Sequence, residues 1–147
     1  MNPATPGAPR PLARTVIEAV CSTLEPIEQL NLRILVNDDS ELILTLLEDL
    51  LTRYQHTVFA ASSGMQGLEL HKNNDVDLVL CDLGMPGMSG WEVGSGVKLL
   101  CEGRGIRKTP FILLTGWGRQ TLEPDRIAQS GIDGSWKNLS ITQNYWR

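Results

Sequence analysis

Residues Asp77–Val93 read DLVLCDLGMPGMSGWEV. The apolar run Leu78–Cys81 has no polar alternation, which predicts a strand covered on both faces, as in a parallel sheet between two helical layers. It ends on one carboxylate, Asp82, and breaks at once into Leu83, Gly84, Met85, Pro86 and Gly87, a stretch whose Gly and Pro turn the chain rather than extend it. GWEVGSGVKLLCE then resumes at helical spacing, weakened by Gly94 and Gly96.

The same alternation extends in both directions. Upstream, LRILVN (Leu32–Asn37) is another continuous apolar run. Ser40 is placed to cap a helix whose stripe is Leu42, Ile43, Leu46, Leu47 and Leu50. HTVFAAS predicts a second strand and GMQGLELHKN a short helix. Downstream, PFILLT predicts a fourth strand, and EPDRIAQSG a helix that opens with Pro and closes on Gly131. Strand–helix alternation implies right-handed crossovers onto one parallel sheet. The end of the chain breaks the pattern. IDGSWKNLSITQNYWR contains neither a convincing apolar strand nor an amphipathic helix, so the fifth strand and helix are expected to be truncated or aberrant.

The totals bound the function classes. The chain has 147 residues, 41% of them hydrophobic and 20% charged, enough for one compact domain with a short extension. A net charge of −4 argues against non-specific nucleic-acid binding. No apolar run approaches the ~18 residues that span a bilayer, and MNPATPGAPRPLARTV lacks the apolar core of a signal peptide. Cys21, Cys81 and Cys101 are odd in number and widely spaced, fitting neither a disulfide framework nor a zinc site. A cytoplasmic setting is the expectation. Before Leu30, residues Met1–Pro11 predict a disordered tail, and Leu12, Val16, Ile17, Val20 and Leu24 recur at helical spacing.

In open α/β sheets ligands gather beyond the carboxyl ends of the strands. There the first strand delivers Asp38 and Asp39, the third Asp82 and the fourth Thr115. Three converging carboxylates repel one another and need a cation; Mg2+ suits hard oxygen donors. A carboxylate beside a bound metal can attack an incoming phosphoryl group, while Lys or Thr nearby would offset charge on its oxygens.

Three blocks, ILVNDDS, DLVLCDLGMPGMSG and FILLTG, resemble those of the receiver domain of bacterial two-component response regulators, over about Leu30–Gly134. The resemblance implies a flavodoxin-like doubly wound sheet of order 2-1-3-4-5, with the receiver at 31–137, a tail and helical connector at 1–30, and an irregular tail at 138–147. It implies Asp82 as phosphoacceptor and a Mg2+ site of Asp38, Asp39, Asp82 and the Gly84 backbone. Thr115 and Gly116 match the switch hydroxyl and the small residue beside it, and Met85, Pro86 and Gly90 the loop that shapes the site. The expected partner is a histidine kinase or phosphotransfer protein. The face of the fourth helix and fifth strand is the expected reporter and self-association surface. LTGWG is similar to receivers attached to hybrid sensor kinases.

Departures are confined to a few positions. Asn37 stands where an apolar residue is usual and is expected to hydrogen-bond at the strand end, and Gly84 removes a side chain beside the acceptor. The final block has Lys137 as phosphate-binding cation but no proline after it, one residue short of the usual spacing. The change after Gly134 is what is expected of a truncated or frame-shifted end. It predicts that one sheet face and the first helix lose cover. Two rivals remain: a degenerate receiver that binds partners without phosphorylation, and a Mg2+-dependent phosphohydrolase forming an aspartyl phosphate. The second generally carries an acid where this chain has Gly84.

Overall fold

The computed structural model describes residues 31–115 and 124–137. The predicted tail and connector, Gly116, Trp117 and the segment after Lys137 lie outside those residues. The elements alternate strictly: β1 (Arg33–Asn37), α1 (Glu41–Arg53), β2 (Thr57–Ala61), α2 (Gly64–Asn73), β3 (Leu78–Asp82), α3 (Gly90–Arg104), β4 (Phe111–Thr115), α4 (Pro124–Gln129) and β5 (Gly134–Lys137). The strands form one parallel sheet in the expected order β2-β1-β3-β4-β5.

Alternation along each apolar strand splits the core into two layers. Ile34, Val36, Leu78, Leu80, Ile112 and Leu114 form one with Leu44, Leu47 and Leu51 of α1. Leu35, Val79, Cys81, Phe111 and Leu113 form the other with Val93, Val97 and Cys101 of α3. Fully burying each large aliphatic side chain contributes ~1.5–3 kcal/mol, so these two layers are what holds the sheet edge in place.

Serine caps open the first three helices: Ser40, Ser63 and Ser89 accept from the backbone N–H three residues on. At Ser89 the Glu92 carboxylate accepts from the cap N–H in return, completing a capping box. Gly94 and Gly96, which weaken α3 as an isolated helix, let it approach its neighbours. A Cβ on Gly94 would stand 2.7 Å from the Ser130 carbonyl oxygen, and one on Gly96 2.7 Å from a Leu68 methyl.

β5 forms despite its poor apolar pattern, though it is only four residues long. It is held from its origin. Lys108 Nζ donates to the Gly131 carbonyl at 2.6 Å, the Thr109 carbonyl at 3.0 Å and Asp133 Oδ2 at 2.6 Å. The same Asp133 oxygen accepts from Phe111 N at 2.8 Å. Backbone pairing then supplies what side-chain patterning did not.

The expectation of a bare sheet face is corrected. Leu78, Leu80, Ile112 and Leu114 are all 0–1% exposed. The predicted α1 stripe is corrected as well: the buried face is Leu44, Leu47 and Leu51, so of the predicted residues only Leu47 is buried, Ile43 and Leu50 are half-buried, and Leu42 and Leu46 stand out at 69% and 47% exposure.

Gly94→Ala should destabilise the domain by ~1–3 kcal/mol, because the added methyl meets backbone rather than a yielding side chain. Gly103, also on α3, has no described atom within 4 Å of its Cβ position, so Gly103→Ala should stabilise by up to ~1 kcal/mol. Urea midpoints of the two variants should move in opposite directions.

Candidate functional site

The pairing of Asn37 with Cys81 across β1 and β3 sets the site, because Asp38 follows directly on β1 and Asp82 is the last residue of β3. One carboxylate oxygen from each of Asp38, Asp39 and Asp82 lies within 4.8 Å of the others. Asp38 is fastened at both ends. Its N–H donates to the Ala61 carbonyl at 3.0 Å, and its Oδ1 accepts from Ser40 N at 2.8 Å. Asp39 is exposed and Asp82 half-buried.

Burial pushes Asp38 from its ordinary 3.8 up to about 6; the Ser40 N–H opposes this, and the charges of Asp82 and Asp39 add to it. Burial likewise raises Asp82, countered by the N–H groups of Gly84 and Leu83 and reinforced by Asp39. The donor set is all oxygen, close-spaced and electrostatically uncomfortable alone. Those are the properties that fit a hard divalent cation.

At the same sheet edge, Asp82 pairs with Leu114, and Thr115 one residue further pairs with Lys137. The backbone register therefore brings Thr115 and Lys137 side by side near Asp82, despite the short spacing of the final block. Gly116 lies outside the described residues.

The loop after Asp82 is anchored from both ends. Met85 is 7% exposed and packs in the α3 layer, while Pro86 and Gly87 turn in solvent, Gly87 at φ +79°. A Cβ on Gly90 would stand 2.7 Å from the Asp82 carbonyl oxygen, so only glycine lets α3 start this close to the acidic residue. Gly84 is exposed, with open space around it among the described residues. Trp91 carries the Arg126 guanidinium 4.5 Å above its ring, tying α4 to α3. That contact has no local sequence signal, whereas the Ser89–Glu92 cap is visible as S-x-x-E.

Cys81 is fully buried, with its thiol pushed up by burial and then by Asp82 and Asp38. Cys101 is buried 3.5 Å from the Thr109 hydroxyl, which His71 Nε2 meets at 2.9 Å. His56 Nδ1 accepts from Leu32 N at 3.1 Å. Cys81 and Cys101 stand in packing roles, and His71 and His56 are held by these hydrogen bonds. Asn37 does not fulfil the expected strand-end hydrogen bond. Its amide is fully buried against Gly67, and neither polar atom has a partner among the described residues.

The sequence model of the response regulator receiver domain matches residues 34–135. The chain belongs to the response regulator receiver family. Among relatives of this receiver, the polar-differentiation response regulator DivK of Brucella ovis is 30% identical over 100 residues, 68% of this chain and 78% of DivK. The virulence sensor protein BvgS of Bordetella pertussis is 35% identical over 107 residues, 71% of this chain. The match spans only 9% of BvgS. The receiver domain of the Arabidopsis thaliana histidine kinase CKI1, solved with Mg2+, superposes with a TM-score of 0.66 at 24% identity, over 76% of this chain and 86% of that one.

Two outcomes are expected of the receiver. Because Asp38 binds its proton more tightly folded than unfolded, its contribution to stability is fullest below pH ~3.8 and is lost as pH rises through about 6. In metal-free buffer Asp38→Asn should therefore melt higher than the parent above pH ~6, with the gap closing towards pH ~4. Separately, Asn37→Val removes two buried unpaired polar atoms and should raise stability by ~1–2 kcal/mol. A drop in its melting temperature would show that the amide is bonded after all.

Proposed function

We propose that this chain is a phosphoacceptor receiver, taking a phosphoryl group onto Asp82 from a phosphohistidine of a histidine kinase or phosphotransfer protein. The observation that carries the reading is the triad of close carboxylates, with Asp82 at the end of the central strand β3. An Asp82 oxygen attacks phosphorus as the P–N bond breaks. The electron pair returns to the imidazole nitrogen, which is then protonated, leaving an acyl phosphate.

Asp38 and Asp39 hold Mg2+ with Asp82 and the Gly84 backbone; when bound, the ion offsets negative charge on the carboxylates and the phosphoryl oxygens. Thr115 supplies the hydroxyl that moves to the new phosphoryl group, with Gly116 leaving it room, and Lys137 supplies the cation. Met85, Pro86 and Gly90 keep the loop open on the approach side, where Gly84 presents no side chain. Leu42 and Leu46, exposed on the first turns of α1, offer the donor an apolar patch beside the acidic opening.

Phosphorylation adds about 1.5–2 negative charges, and recruitment of Thr115 transmits this to α4 and β5, the surface for reporting and self-association. The setting is cytoplasmic, the role signalling rather than turnover of a substrate, with neither nucleic acid nor membrane bound by this domain. Gly84 speaks against the phosphohydrolase, for want of an acid there. The alignment of Lys137 with Thr115 weighs against the degenerate receiver.

Incubation with Mg2+ and acetyl phosphate should add the mass of one phosphoryl group. The adduct should disappear in Asp82→Asn and when EDTA replaces Mg2+. A folded protein that gains no mass under these conditions would establish the degenerate receiver instead.

A further inference from the structure

The loop that follows Asp82 reaches across to α2 through one side chain. Met88, between Gly87 and the cap residue Ser89, lies on Gly64, the first residue of α2. A Cβ on Gly64 would stand 2.7 Å from Met88 Sδ and 2.8 Å from its Cβ and Cγ. The seat is firm. Ser63 Oγ accepts from Gln66 N at 3.2 Å, and Gln66 Oε1 accepts from Ser62 N at 2.8 Å and Ser62 Oγ at 3.1 Å. The Ala61 carbonyl, three residues before Gly64, accepts from Asp38 N at 3.0 Å. One turn along α2, Gly67 lies against Asn37, the residue before Asp38. The start of α2 is therefore joined to the Asp38 side of the site, and Met88 joins it to the Asp82 side.

We propose that Met88 is a positioning residue for the cation site, clamping the Asp82 loop against Gly64 so that Asp38 and Asp82 keep one spacing. Gly84 and Gly87 leave that loop more backbone freedom than other residues would, and Pro86 and Gly87 are exposed. Met85 and Met88 flank the exposed pair, the first buried and the second half-buried in the layer shared with α3. A thioether side chain adapts to the notch that a glycine leaves. The alternative role for Met88, as the residue before the Ser89 cap, is an apolar staple on Val93 of α3. A staple would affect stability and leave the spacing of the carboxylates alone. The proposal rests on the reading of the acidic triad as a Mg2+ site, and adds to it a residue that touches neither the ion nor the phosphoryl group.

Calorimetric titration of the full chain with Mg2+, alongside thermal melts in EDTA, tests the assignment. Met88→Ala should raise the Mg2+ dissociation constant by ~10-fold, whereas Met88→Leu, which keeps the apolar bulk, should stay close to the parent. Gly64→Ala should weaken binding as well, because the added carbon meets Met88 Cβ, which rotation of the thioether does not move. Met65→Ala, at the neighbouring and 67% exposed position, should leave the affinity unchanged. A lowered melting temperature with the parent's Mg2+ affinity, in both Met88→Ala and Gly64→Ala, overturns the proposal in favour of the staple. A parent that takes up no Mg2+ overturns the metal reading and this proposal together. A parent that binds beside variants that bind equally overturns this proposal alone. Should Met88→Ala not fold, Gly64→Ala decides, since it keeps Met88 and displaces only its seat.

Discussion

Parallel pairing of β1 with β3 is the constraint on which the site depends. It obliges Asp38 and Asp82 to emerge side by side, and the turn into α1 adds Asp39. Like charges at this spacing oppose folding. They stay together because two apolar layers, one on each side of the sheet, hold the strands in register. The repulsion is partly offset by the backbone N–H groups of Ser40, Leu83 and Gly84. The uncompensated remainder leaves at the sheet edge an electrostatic imbalance that a cation would relieve.

The loop beyond Asp82 shows how that edge is kept shaped without being filled. Met85 is sunk into the α3 layer, Gly87 takes the left-handed turn, and Gly90 lets α3 begin against the Asp82 carbonyl. Further along α3, Gly94 admits the carbonyl of Ser130 and Gly96 the side chain of Leu68. Residues that cost helix propensity in isolation thereby seat α3 against the rest of the domain.

Much of this is legible in the sequence because the signals are local. Continuous apolar runs mark β1, β3 and β4; Ser40 marks its cap; and strand-end geometry alone singles out Asp38, Asp39, Asp82 and Thr115. β5 is obscure because a short edge strand can be specified by backbone pairing and by Lys108 and Asp133, neither of which produces an apolar pattern. The stack of Arg126 on Trp91 is invisible for a related reason, since it joins residues 35 positions apart with no periodicity between them. Asn37 reads in sequence as a bonded strand end and is not one. Which way an isolated polar side chain packs depends on the helix above it, here on Gly67.

The grip of Lys108 on Gly131 and Asp133 makes the far end of the sheet the origin from which β5 is counted. Only three residues separate Asp133 from Lys137, with no bulge between them to absorb an error. One inserted or deleted residue there would turn every later side chain of the strand to the opposite face. β5 therefore behaves as a molecular ruler, its four residues setting which backbone position is paired with Thr115.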